Sequence, residues 1–235
     1  NAAQLGKVIA SVDNIAGGRV IAGMGGGWMP REFTDFDMPF LSTGDRLVQL
    51  RETVELLKRM WSEDEDEVDF KGRFVTANNV VCQPKPPRKI PMLIGGGGEK
   101  VTLKLVAEHA DIWNNAAGNQ AGLSHKLDVL KGHCDAIGRD PGEITISQQC
   151  LVTIAPDEAS AGPMADRAHS LFGGHMGDPK GPLAITGSPE RCCEQIQKHI
   201  DLGCTMFMIE FFGKDTLETG QLFAEQVLPE FSRAA

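Results

Sequence analysis

Two glycine runs hold the residues of this chain best suited to grip a ligand through the backbone. Gly25-Gly26-Gly27 follows the apolar stretch Val20 to Met24, and Gly95-Gly96-Gly97-Gly98 follows Pro91-Met92-Leu93-Ile94. A short apolar run that ends in glycine reads as a buried strand whose last N–H groups stand bare, with no side chain between them and a bound group. The second run leads into a helix expected from about Glu99 to His109. Gly96, Gly97, Gly98 and Glu99 would then offer free N–H groups at a helix N-terminus, a seat for phosphate. Thr102, in the first turn, would add a hydroxyl donor. Asn114 and Asn115 end the next strand and are placed to hydrogen-bond a phosphate or a tail. One glycine-ended strand is an ordinary way to turn, whereas two suggest two walls of one site.

The other reactive side chains form no comparable pattern. No His, Cys and Asp spacing suits a metal, and no Gly-x-Ser-x-Gly elbow supports a serine nucleophile. None of the six cysteines falls in a CxxC pair, which predicts reduced thiols and a cytoplasmic protein. His109 closes a helix, where a cation is favoured. His125, His133 and His199 read as surface-helix residues, and His175 lies in the Gly- and Pro-rich stretch 173–187. Arg31 and Glu32 stand just beyond the first glycine run and either face the site or form ion pairs.

Bulk properties narrow the partners. A net charge of −9 without a Lys/Arg cluster argues against nucleic acid, and no apolar run approaches a membrane span. The expected partner is a small molecule. With 41% hydrophobic residues in 235, the chain can bury a sizeable core, and no linker or repeat divides it, so residues 1–235 are expected to form one domain.

The elements needed to carry these residues follow from periodicity. A helix is expected over Ala2 to Ile15, with Leu5, Val8, Ile9, Val12 and Ile15 as its apolar stripe and Gly17-Gly18 ending it. Strand Val20 to Met24 comes next, then an aromatic-rich loop from Met29 to Thr43. A helix over Asp45 to Trp61 has Ser42 or Thr43 as its N-cap. Val68 to Cys82 reads as a small hairpin, with strands Val68-Asp69-Phe70 and Arg73-Phe74-Val75 flanking a turn at Lys71-Gly72 and Val80-Val81 following. Beyond it, strands and helices alternate. The strands are Pro91 to Ile94, Ile112 to Asn114, Ile144 to Ile154 and Thr205 to Phe212. The helices are Glu99 to His109, Leu123 to Ile137, Asp157 to Phe172, Ser188 to about Gly203, and Asp215 to Phe231. Five strand–helix units with one leading helix imply a parallel α/β sheet, and both an open doubly wound sheet and a (β/α)8 barrel fit.

Several stretches together resemble the luciferase-like monooxygenase superfamily, (β/α)8 barrels that include flavin- and deazaflavin-dependent oxidoreductases. They are LGKVIASVDNIAGGRVIAGMGGGWMPREF, DRLVQLRETVELLKRMW, the FKGRF hairpin, PKPPRKIPMLIGGGG, AEHADIWN and TGSPERCCEQIQKHIDLGCTMFMI. The resemblance implies a TIM barrel of luciferase-like type that is incomplete, the first three strands being absent ahead of Asn1. It implies that the catalytic groups, commonly carried by those first strands, cannot be assigned in this sequence. It also implies a cofactor, the 5-deazaflavin coenzyme F420 in preference to FMN, held by Gly25, Gly26, Gly27, Gly96, Gly97, Gly98, Glu99, Thr102 and Asn114. Some relatives carry a flavin-phosphate arginine where this chain has Gly26, and some deazaflavin dehydrogenases carry an acid where it has Trp28. The 173–187 loop is similar to loops that lie over the site mouth. The expected function is a flavin- or F420-dependent oxidoreductase or monooxygenase acting on a small organic substrate, in a homodimer. The alternative is a non-catalytic shortened barrel that binds a flavin-like ligand or serves a structural role.

Overall fold

The computed structural model describes residues 1–232. In chain order the elements begin with α1 (Ala2–Ile15), β1 (Ala22–Met24), α2 (Arg31–Thr34), α3 (Thr43–Trp61), β2 (Glu67–Lys71) and β3 (Thr76–Val81). There follow β4 (Met92–Gly95), α4 (Thr102–His109), β5 (Ile112–Asn115), α5 (Leu123–Ile137), β6 (Thr145–Ile154) and α6 (Glu158–Phe172). β7 (Ile185–Gly187), α7 (Pro189–Asp201), β8 (Cys204–Phe211), α8 (Thr216–Gln226) and α9 (Leu228–Ser232) complete the order. Two compact units emerge, one of Asn1–Trp113 with Gly132–Ile144, the other of Asn114–Lys131 with the chain from Thr145 onward.

In the first unit, α1 packs on α3 through a face other than the predicted stripe. Gly6, Ala10 and Asp13 are buried, whereas Leu5, Val8, Val12 and Ile15 are exposed. The reason is close approach. A Cβ on Gly6 would lie 3.1 Å from the Met60 side chain, and the Trp61 indole N–H donates to the Gly6 carbonyl at 3.0 Å. Small residues let the helices meet, and the apolar stripe is left on the outside. Buried Asp13 accepts the Val20 N–H at 2.8 Å, and Arg88 donates to the Gly18 and Val20 carbonyls, so the chain is gripped just before β1. The Ser42 hydroxyl caps α3 by accepting from Asp45 N–H.

The β2–β3 hairpin turns later than predicted. Arg73, Phe74 and Val75 form no strand; their N–H groups all donate to the buried Glu52 carboxylate of α3, at 2.6, 2.8 and 2.9 Å. Burial alone would raise the Glu52 pKa, but the three backbone donors and nearby Arg73 hold it below the usual carboxylate range. β4 runs parallel to β1 in the register Ala22↔Met92, Gly23↔Leu93, Met24↔Ile94. The helix after β4 begins at Thr102, because residues 99–101 form a turn with no side-chain cap.

In the second unit, β6 pairs in parallel with β8 from Ile146 to Val152 and with β7 from Val152 to Ile154. β7 falls inside the stretch read as loop; three residues, Ile-Thr-Gly, are too short to show alternation. Cys150, Val152 and Ile154 of β6 pack with Ile196, Phe223 and Val227 in the core. The last helix is divided at Val227, giving α8 and α9. His199 is no surface residue but is fully buried. Its Nδ1 lies 2.9 Å from the Gln195 carbonyl and its Nε2 3.1 Å from Gln120 Nε2, whose amide also donates to the Leu183 carbonyl. Burial lowers the His199 pKa, partly offset by the Gln195 bond, so the neutral ring is favoured: Nδ1–H donates and Nε2 accepts.

Candidate functional site

The parallel register decides how the two glycine runs relate. Met24 and Ile94 are partners near the C-terminal ends of β1 and β4, so Gly25–Gly27 and Gly95–Gly98 leave the sheet side by side at the same end. A Cβ built on Gly95 would sit 3.8 Å from the Met24 carbonyl oxygen. Side-chain alternation separates the two faces at this tip. Ala22, Met92 and Ile94 are buried on one face. Gly23, Gly25, Leu93 and Gly95 occupy the other, where Gly23 and Gly25 are exposed. A Cβ on Gly25 would meet nothing within 4 Å, and one on Gly23 would only touch Leu93 at 4.0 Å. The result is a flat patch of bare backbone at the sheet end where parallel α/β folds bind ligands.

The three glycines of the first run serve different ends. Gly25 faces open space. Gly26 gives its carbonyl to Arg46 Nε at 2.9 Å. Gly27 has φ +68°, and a Cβ there would lie 2.6 Å from the Phe33 ring, so a structural demand alone requires glycine at this position. Among the described residues, no acceptor is found for the Gly26 or Gly27 N–H. A groove of about 390 Å³ beside these glycines is lined by Glu32, Phe33, Arg46 and Gln49. Arg31 is directed elsewhere, in an exposed pair with Asp35 at 3.2 Å.

The second run is supported from beneath. The fully buried Trp113 donates its indole N–H to the Gly96 carbonyl at 2.8 Å, and Gly96 has φ +120°. Thr102 is only 6% exposed, and its hydroxyl would lie 2.8 Å from a Cβ on Gly98. It therefore packs under the loop, and its hydroxyl does not stand out in solvent. The Glu99 carbonyl lies 2.7 Å from His133 Nε2, which anchors the turn into α4. His109, half-buried, has its pKa lowered by burial and by Lys58.

Asn114 belongs to the second unit, where its Oδ1 accepts from Ser147 Oγ at 2.9 Å. Its neighbour Asn115 is fully buried and donates to Gln148 Oε1 at 2.8 Å. Among the described residues, Asn115 Oδ1 has no partner. The cysteines are free thiols, and burial pushes Cys192 up to about 12 and Cys204 up to about 11, away from thiolate chemistry.

Residues 1–180 match the family described as luciferase-like monooxygenase. The chain belongs to that family. An uncharacterized protein of Mycobacterium tuberculosis is 33% identical over 137 residues, 58% of this luciferase-like chain and 46% of the relative's own length. The F420-dependent glucose-6-phosphate dehydrogenase of Kineococcus radiotolerans is 25% identical over 251 residues, covering 97% of this chain and 73% of that protein. Among solved structures, the coenzyme F420-dependent tetrahydromethanopterin reductase of Methanopyrus kandleri aligns with a TM-score of 0.77 at 20% identity, over 98% of this chain and 80% of that one. The likeness establishes the α/β fold of luciferase-like barrels, with its parallel strands.

Gly23, Phe33, Arg46 and Trp113 also shape the two glycine tips and escaped the glycine-centred reading. Arg46 left one trace. It is a cation close to the N-terminus of α3, where the helix dipole disfavours positive charge, so it needs another partner to repay its position.

Proposed function

We propose that this chain forms the cofactor-holding part of an oxidoreductase that uses coenzyme F420, with FMN as the competing cofactor, and acts on a small organic molecule. The carrying observation is the parallel pairing of β1 with β4, which brings two bare glycine tips together. The residues fit a flat, phosphate-bearing group. Gly23, Gly25 and Gly95 leave room for a ring against the backbone, and the Gly26 and Gly27 N–H groups are available donors. The loop from Gly96 to Glu99 lies ahead of α4 and not in its first turn, so it would meet the phosphate through bare backbone, with Thr102 and Trp113 shaping it from below. When bound, the deazaflavin ring supplies hydride exchange at its C5. The chain's own part is to orient that ring and keep its edge dry. A homodimer remains the expected assembly.

Fluorescence titration of the full-length protein tests this reading. F420 should bind with micromolar or tighter affinity and FMN more weakly. Tighter binding of FMN would reverse the choice of cofactor, and binding of neither would overturn the proposal.

A further inference from the structure

We infer that Arg46 is a positioning residue that locks the Gly26–Gly27 peptide with its N–H side available to the cofactor; this rests on the cofactor reading above. A peptide flanked by two glycines is easy to flip, since neither neighbour has a Cβ to resist the change in ψ and φ. Flipping would exchange the N–H for the carbonyl and turn a donor into an acceptor facing an anionic group. Arg46 prevents this. Its Nε donates to the Gly26 carbonyl at 2.9 Å. In a trans peptide the C=O and the next N–H point in opposite directions. Holding the Gly26 carbonyl toward α3 therefore directs the Gly27 N–H away from α3.

The guanidinium is itself held on three sides. Nη1 donates to the Leu41 carbonyl, Nη2 lies 3.3 Å from Thr43 Oγ1, and the group stacks 4.0 Å above the Phe40 ring. Phe40 in turn meets Phe33 edge to face at 5.1 Å, and Phe33 fills the space left by the missing Cβ of Gly27. The clamp thus joins the N-terminal turn of α3, the end of the 28–42 segment and the β1 tip. A lysine could reach one of these acceptors but cannot reproduce the planar fork or the stack.

Hydrogen exchange and cofactor titration of Arg46→Ala and Arg46→Lys in the full-length protein test the assignment. In Arg46→Ala, the slowing of amide exchange over residues 25–28 that F420 brings to the native protein should shrink, and F420 affinity should fall about tenfold, the loss of one well-oriented donor. Exchange in the middle of α3 should not change, and Arg46→Lys should recover only part of either effect. An Arg46→Ala protein that binds F420 within twofold of the native affinity, with the native slowing of exchange over residues 25–28, overturns this inference alone. Native protein that binds neither F420 nor FMN overturns the cofactor reading and this inference with it.

Discussion

The two glycine tips look alike in sequence and are built differently. At the β1 tip the support is a charged side chain reaching in from α3: Arg46 takes the Gly26 carbonyl, and Phe33 presses against Gly27. At the β4 tip the support is a packed floor: Trp113 takes the Gly96 carbonyl, and Thr102 fills the space beneath Gly96 and Gly98. A run of glycines announces bare backbone but does not say what orients it. Orientation comes from side chains elsewhere in the chain, a cation at one tip and an indole at the other.

Substitutions that separate the structural glycines from the open one test the comparison most sharply. Gly27→Ala combines a left-handed backbone with a 2.6 Å clash against Phe33. It should cost about 2–4 kcal/mol, seen as a lowered denaturation midpoint. Gly25→Ala has open space, so stability should stay within about 0.5 kcal/mol while F420 affinity drops. Equal stability losses at the two positions would mean that both glycines serve the loop and neither the ligand.

Trp113→Phe comes next in size. It keeps a ring in the floor but leaves the Gly96 carbonyl without its donor, at a cost of about 1–3 kcal/mol by urea denaturation. The effect should be local to the β4 tip, with amide exchange at Gly25–Gly27 unchanged. Faster exchange at both tips would show that the tips are one cooperative unit. Thr102→Val is expected to do least. If Thr102 is packing, stability changes by less than about 1 kcal/mol and F420 affinity by less than about threefold. A larger loss of affinity at unchanged stability would restore its hydroxyl as a direct ligand.

Much of the fold could be read from the chain. Helix α1 and helix α5 match their predicted limits, and the Ser188 cap with Pro189 at the first helical position marks the start of α7. These are places where local chemistry and tertiary structure agree. The misreadings share a cause: a distant side chain replaced the local signal. Glu52 collects the N–H groups of residues 73–75 and turns a predicted strand into a loop. Gly6 lets α3 approach α1, which places Leu5, Val8, Val12 and Ile15 outside. Gln120 and Gln195 give His199 the partners that make its burial tolerable. At the site, glycine position was legible because the strand pattern stops there, whereas the roles of Arg46 and Trp113 depend on residues 20 and 17 positions away.

The central claim concerns main-chain donors, so the most direct measurement reads them. Amide exchange of the full-length protein should be recorded with and without saturating F420. Slowing at both Gly25–Gly27 and Gly96–Gly98, with little change along β2 and β3, is the predicted result. Saturable binding that leaves exchange at both glycine runs unaltered would contradict the account.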